Sequence, residues 1–272
     1  MGTHRAFLDT AIEAVVRAGD LQMAQFGQAF QIDKKGAIDL VTEVDVAVEQ
    51  MFRALVAERF PDHQVLAEEM GGSATVPRGP CWVFDPIDGT TNYAHGIPIF
   101  CASLALEIDG IAEVAAVFDP NRKELFTAER GGGAFLNGSP LHVSQAETLI
   151  DAVVVTGFPY DVHSRVEEIV GLFGAFVGRA RAVRRLGSAA IDLCYVAAGR
   201  MDGFWESDLK PWDIAGGALI VSEAGGRITN MSGEPFRSRD GRVLATNARL
   251  HDEMLEVIRE FRASRRAPER TD

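Results

Sequence analysis

Two aspartates, Asp85 and Asp88, stand three positions apart in WVFDPIDGTTNYAHGIP (residues 82–98), where an apolar run ends and a glycine and two threonines follow. Carboxylates placed there lie beside the hydroxyls and free N–H groups of a predicted helix start, which together form a seat for phosphate. Carboxylates alone would repel a phosphate, so the combination makes chemical sense with a cation between them. Oxygen-only ligands favour a hard ion such as magnesium, usually held by a few carboxylates together with the substrate's phosphate oxygens. A plainer assignment fits the same residues: Asp88 caps a short helix and Asp85 ends a strand.

Other acidic residues extend the pattern. LAEEMGG puts Glu68 and Glu69 after a short apolar run and before two glycines, which suits a loop carrying a ligand. KPWDIAGG places Asp213 at a helix entrance behind Pro211, and DLVTEVD places Asp45 early in a helix, where an acid also favours the dipole. Each alone reads equally well as a cap or a surface acid, and Lys34 with Lys35 reads as a solvated pair.

Elements that could position these groups follow from periodicity. Leu8, Ile12, Val15, Gly19, Met23 and Phe26 recur at helical spacing, and Val44, Val48, Met51, Phe52, Leu55 and Val56 predict a second amphipathic helix ending near Pro61. CWVFD, CASLALEID and AEVAAVFD read as strands, the last two flanking Gly110 as a hairpin, and KELFTAER followed by GGGAFLNG continues the meander. The CWVFD strand ends at Asp85, Pro86 and Ile87 make a tight turn, and a short helix capped by Asp88 begins at Gly89. From Asp151 onward, AVVVTGF and MDGFWE read as strands, and VEEIVGLFGAFVG, SAAIDLCYVAAG and PWDIAGGALIVSEAGG as helices. Strands and helices in this order predict a layered, mixed α/β (α+β) architecture. No linker composition divides the chain, so residues 1–272 are expected to form a single domain.

Composition narrows the function classes. With 27 basic against 39 acidic residues, a net charge of −12, the chain lacks the basic surface of a nucleic-acid binder. Cys81, Cys101 and Cys194 are widely spaced among apolar neighbours and read as buried thiols in a reducing, cytoplasmic setting. Asp9, Glu13, Arg17 and Asp20 interrupt the first helix, which excludes it as a signal peptide or membrane span. GGGAFLNGSP lacks the Lys and Ser/Thr of a nucleotide P-loop and is assigned as a turn. His95 and the three tryptophans are assigned to packing, and Arg184 with Arg185 to a pocket rim or dimer contact.

Taken together, AEE, DPIDGTTNYAHGIP and KPWDIAGGALIVSEAGG, in this order and at these separations, resemble the inositol monophosphatase family of magnesium-dependent, lithium-sensitive phosphatases. The similarity runs from KKGAIDLVTEVD to LATN near residue 247, and RRLGSAAIDLCYVAAGRMDGFWE resembles the bacterial inositol-1-monophosphatase branch. The resemblance implies a layered αβαβα sandwich of the inositol monophosphatase / fructose-1,6-bisphosphatase type, usually homodimeric. It assigns one magnesium to Glu68, Asp85 and the carbonyl of Ile87, and a second to Asp85, Asp88 and Asp213. Glu68 also contacts a weaker third ion that binds the attacking water, so about two or three ions per subunit are implied.

The resemblance further pairs Thr90 with Asp45 as the groups that orient and help deprotonate that water. It puts the amides of Gly89 and Thr90, with Thr91, on the phosphate oxygens, and Lys34 in a mobile basic loop over the metals. On the alcohol side, Glu206 accepts hydrogen bonds from an inositol ring, with Gly187, Ala189 and Asp88 lining the same pocket. The implied activity is hydrolysis of myo-inositol monophosphate to inositol and phosphate. TTNYAHGIP, rather than the TKSF type of histidinol-phosphate enzymes, and the presence of Glu206 favour that branch. Fructose 1,6-bisphosphate, histidinol phosphate and 3'-phosphoadenosine 5'-phosphate stay open as substrates, as does a regulatory binding scaffold with little catalysis. The presence of Glu68, Asp85, Asp88, Asp213 and Thr90 argues against the scaffold, and the acidic balance argues against a nuclease.

Overall fold

A computed structural model describes residues 2–28, 32–34, 40–71 and 78–266. Its outermost layer is a helix pair, α1 (Gly2–Gln25) and α2 (Glu43–Arg59), between which β1 (Ile32–Lys34) and β2 (Leu40–Thr42) pair antiparallel. The pair covers a seven-stranded sheet in sequential order: β3 (Gln64–Ala67), β4 (Pro80–Asp88), β5 (Cys101–Ile108), β6 (Ile111–Asp119), β7 (Glu124–Glu129), β8 (Gly133–Leu136) and β9 (Ser139–Pro140). Only β3 and β4 run parallel in it, and the short helix α3 (Thr90–Ala94) lies between β4 and β5.

The second half supplies β10 (Val153–Thr156), α4 (Val166–Val177), β11 (Ala182–Arg184), α5 (Ala189–Ala197), β12 (Gly203–Ser207), α6 (Pro211–Glu223), β13 (Arg227–Thr229), β14 (Arg242–Thr246) and α7 (His251–Arg266). Its five strands are ordered β11-β10-β12-β14-β13, parallel across the first three and antiparallel beyond. Of four apolar clusters among the described residues, the three largest bind the layers as follows. Phe52, Trp82, Phe84 and Leu104 join α1 and α2 to the first sheet. Val117, Phe126, Ile191, Leu193, Phe204 and Ile220 clamp α5 and α6 between the two sheets. Phe176, Trp205, Met254 and Ile258 join α4 and α7 to the outer face of the second sheet, with Trp205 stacked on Phe176 at 3.9 Å between ring centroids. The result is the mixed layered architecture that the sequence pattern predicts and the αβαβα stack that the family resemblance implies.

Four local expectations are corrected. On α1 the expected Val15 and Gly19 are buried, but the rest of the buried face is Phe7, Thr10, Ala11, Ala14, Ala18 and Gln22, and Met23 is exposed, because small side chains let the helix settle closely on the sheet. Strand β4 does not stop at Asp85; it continues to Asp88, which pairs with Cys101, and the register shifts between the two aspartates. Asp88 does not cap α3, since Gly89 holds the N-cap position of that helix at φ 99°. Finally, GGGAFLNG is not all turn: Gly133–Leu136 is a strand between two turns. The three cysteines are free and buried as expected, and Trp82 and Trp205 are buried while Trp212 is partly so. Among the described residues no helix is long and apolar enough to cross a membrane.

Candidate metal and phosphate site

The bulge in β4 is what turns both aspartates to one side. Proline donates no hydrogen bond to a ladder, so pairing lapses at Pro86 and Ile87. The Ile87 N–H turns back to Asp85 Oδ1 at 3.0 Å, and the strand resumes at Asp88. Asp88 Oδ2 accepts Ser188 Oγ at 2.5 Å and the Ala190 N–H at 2.7 Å, both from the start of α5. Gly89 then reverses the chain. A Cβ on it would lie 3.0 Å from the Ile99 carbonyl and 3.2 Å from that of Gly187, so both its left-handed φ and its surroundings require glycine. Thr90 and Thr91 follow as the first residues of α3, whose leading N–H groups have no partner within the helix.

Asp213 enters from α6, where Pro211 opens the helix and the Asp213 carboxylate accepts the Lys210 N–H at 2.6 Å. Single oxygens of Asp85, Asp88 and Asp213 all lie within 4.8 Å of one another. Burial pushes the Asp85 carboxyl well above the usual range, and the charges of Glu68, Asp88, Asp213 and Asp45 push it further. Asp213 is raised likewise by burial, Asp88 and Glu68. Asp88 is pushed up to about 6 by burial, against the opposing hydrogen bonds from Ser188, Ala190 and Ala189. Three crowded carboxylates with mutual repulsion form an all-oxygen donor set that a hard divalent cation relieves, so the residues present fit magnesium.

Glu68 stands outside the 4.8 Å cluster, in the turn after β3, yet its charge reaches all three aspartates. That turn is fastened by the fully buried Glu49 of α2, which accepts the Glu69 N–H at 2.7 Å and the Met70 N–H at 3.0 Å while pairing with Arg53. One turn earlier on α2, Asp45 forms a capping box with Thr42 and lies fully buried behind Thr90, with Thr90 Oγ1 3.4 Å from Asp45 Oδ1 and 2.9 Å from the Ile87 carbonyl.

Glu206 is not a surface acid: it lies within β12, is 7% exposed, and rests against Gly157, where a Cβ would lie 2.1 Å from Glu206 Oε2. Burial pushes its pKa up to about 8, with Arg185 acting in the opposite direction and Asp88 and Asp208 adding to the rise. The Arg185 guanidinium lies 5.7 Å from the Phe158 ring centre, and its Nη1 would lie 2.7 Å from a Cβ at Gly187. Asn92 donates to the Leu186 carbonyl at 2.9 Å, which ties α3 to the loop bearing Gly187 and Ala189.

The family model described as the inositol monophosphatase family matches residues 4–264. An inositol-1-monophosphatase from Synechocystis is 42% identical over 255 residues, covering 93% of this chain and 89% of that protein. The Nus factor SuhB of Escherichia coli is 40% identical over 255 residues, 93% of this chain and 96% of its own. Among solved structures, an inositol monophosphatase from Anabaena superposes with a TM-score of 0.86 at 37% identity, covering 94% of this chain and 96% of that one. The chain belongs to the inositol monophosphatase family. It is thereby a member of a family of metal-dependent phosphomonoesterases, and its acidic cluster suits that chemistry.

Within this inositol monophosphatase fold, the residues singled out from the sequence fall into two neighbouring groups: Asp45, Glu68, Asp85, Ile87, Asp88, Gly89, Thr90, Thr91 and Asp213 around the bulge, and Gly187, Ala189 and Glu206 beside them. Lys34 ends β1, paired with Leu40; its side chain, and all of Lys35, lie outside the described residues. His95 is exposed and keeps only a local contact with the Thr91 carbonyl. Three supporting residues escaped the sequence reading: Ser188, Glu49 and Gln22. The signal for the last two was a polar side chain on the apolar face of a helix.

Proposed function

We propose that the chain is a magnesium-dependent phosphatase that hydrolyses myo-inositol monophosphate to inositol and phosphate. The observation that carries this reading is the cluster of Asp85, Asp88 and Asp213 at the foot of α3, with Thr90 backed by Asp45. Asp85, Asp88, Asp213, Glu68 and the Ile87 carbonyl would hold the ions, about two or three per subunit. Bound magnesium supplies neutralisation of the phosphate, acidification of the attacking water and stabilisation of the leaving alkoxide.

The chain's own residues do the rest. The Gly89 and Thr90 amides, with Thr91, hold phosphate oxygens at the start of α3. A Thr90 hydroxyl turned toward Asp45 presents its lone pairs outward, takes a proton from the attacking water and passes its own to Asp45, with Glu68 beside it. Glu206, Gly187 and Ala189 orient the alcohol, with Asp88 reaching one of its hydroxyls, and Lys34 is the basic residue of the loop over the metals. Residues 1–272 act as one domain, a reading supported by the core shared between both sheets. A cytoplasmic homodimer inhibited by lithium completes the proposal.

Phosphate release from inositol 1-phosphate, fructose 1,6-bisphosphate, histidinol phosphate, 3'-phosphoadenosine 5'-phosphate and glycerol 2-phosphate, each with magnesium and with chelator, tests it. The expected result is magnesium-dependent release with the highest kcat/KM for inositol 1-phosphate. Preference for another ester overturns the Glu206 pocket and leaves the metal chemistry standing. The similarity to a relative named as a Nus factor favours a second reading, a protein-binding role, which takes over if no ester is hydrolysed.

Glu206→Gln separates the two halves of the pocket. Its KM for inositol 1-phosphate is expected to rise about tenfold, the cost of replacing one carboxyl oxygen by an amide donor against the ring hydroxyls, with inhibition by inorganic phosphate unchanged. Stability moves the other way. Because the folded pKa of about 8 exceeds the ordinary glutamate value of 4.5, the folded protein binds the extra proton across that interval, and its stability falls as pH rises through it. The Gln variant lacks this loss, so metal-free thermal unfolding at about pH 5 and about pH 8 is expected to show a smaller drop between the two than wild type. An equal drop in both proteins contradicts the buried-acid assignment.

A further inference from the structure

The geometry points to Gln22 of α1 as a positioning residue that sets the orientation of Asp85 for metal binding. Gln22 is 0% exposed, and its Nε2 donates to the Pro86 carbonyl at 2.7 Å, 64 residues away in the chain. That carbonyl and the Ile87 N–H belong to one peptide plane, and the N–H donates to Asp85 Oδ1 at 3.0 Å. The plane is therefore held at both ends, by the glutamine on its oxygen side and by the aspartate on its hydrogen side. A hydrogen bond to an amide oxygen strengthens the donor on the same amide, so the two bonds reinforce each other.

The backbone of Gln22 reaches the other arm of the site. The Tyr93 hydroxyl donates to the Gln22 carbonyl at 2.8 Å, and Tyr93 belongs to α3, the helix that begins with Thr90. One residue of α1 thus joins the bulge bearing Asp85 to the helix bearing Thr90, and the Ile87 carbonyl beyond the fixed plane accepts Thr90 Oγ1 at 2.9 Å.

A contribution to stability alone does not account for this amide. Only its NH2 end can face a carbonyl, which leaves Oε1 buried with no hydrogen-bond partner. An orphaned buried acceptor is destabilising, and an apolar side chain of similar length would remove this one while orphaning the Pro86 carbonyl, so on hydrogen-bond count alone the amide stabilises little. The position keeps an amide donor at the expense of an unmatched acceptor, as expected where the donor serves the site.

This inference rests on the metal reading above, and the test separates the two. Mn2+ binding is titrated by electron paramagnetic resonance on wild type, Gln22→Met and Tyr93→Phe, alongside metal-free thermal unfolding. Gln22→Met is expected to bind Mn2+ about tenfold more weakly while its metal-free melting temperature stays close to wild type. Tyr93→Phe is expected to weaken binding in the same direction by a smaller factor. The magnesium concentration for half-maximal phosphate release rises in step, with kcat at saturating magnesium little changed. Wild-type Mn2+ affinity in both folded variants overturns the role of Gln22 and leaves the metal reading intact. A lowered melting temperature with unchanged affinity overturns it in favour of plain packing. Absence of Mn2+ binding by wild type overturns both.

Discussion

Asp213→Asn is expected to fold as wild type and to lose phosphatase activity by roughly a thousandfold, about 4 kcal/mol of transition-state stabilisation at about 1.4 kcal/mol per tenfold. Folding is preserved because the asparagine carbonyl oxygen can still accept the Lys210 N–H that fastens the entrance of α6. Activity falls because one of three carboxylates within 4.8 Å of each other loses its charge. Asp88→Asn behaves alike: Ser188 and Ala190 both donate to the single atom Oδ2, so a carbonyl oxygen placed there satisfies both. Removing a charge from the crowded cluster relieves repulsion, so both variants are expected to match or exceed the metal-free melting temperature of wild type and to lose the rise that magnesium produces. Steady-state kinetics with calorimetric melts, with and without magnesium, check this. Full activity in either variant overturns the assignment of these carboxylates to the cation.

Thr90→Ala is expected to lower kcat about a hundredfold, within the usual range for removing acid–base assistance, with Mn2+ affinity unchanged. Thr90 Oγ1 carries one hydrogen and faces two acceptors, Ile87 O at 2.9 Å and Asp45 Oδ1 at 3.4 Å, so its removal also costs a hydrogen bond of about 1 kcal/mol. Thr90→Ser keeps the hydroxyl and is expected to recover most of the rate. That recovery distinguishes proton handling from packing. Asp45→Asn is a harsher variant, because Asp45 Oδ2 also accepts the Thr42 N–H at 2.8 Å and its Oγ1 at 2.5 Å in the capping box that starts α2. An alanine variant with undiminished kcat overturns the Thr90–Asp45 pair.

The parts of the site legible in the sequence are those built from local chemistry. DPIDGTT declares two acids, a breaker of strand pairing and a helix start within a few residues, and WDIAGG declares an acid at a helix entrance. The layered fold follows from strand and helix periodicity for the same reason. What stayed hidden lies in contacts between distant segments. No pattern near Asp88 announces Ser188, and periodicity marks which face of α1 or α2 is buried without saying what Gln22 or Glu49 will meet there. Pro86 misled in a specific way: a residue without an N–H does interrupt a ladder, but here β5 pairs on both sides of the gap, so the interruption is a bulge and not an end. In α1 the expected stripe holds at Val15 and Gly19, while the sheet takes in Ala11, Ala14 and Ala18 and leaves Met23 outside.

The bond from Ser188 to Asp88 spans 100 residues, and Asp213 lies further along the chain still. During synthesis the DPIDGTT segment therefore emerges with its acids unpartnered and waits for the ribosome to deliver α5 and α6. Until then the first sheet also lacks the helices that cover its inner face. The nascent amino-terminal half is an acidic, half-covered sheet that lacks Asp213, and the three-aspartate cluster is complete only when the helices that seal the sheet also bring Ser188 and Asp213.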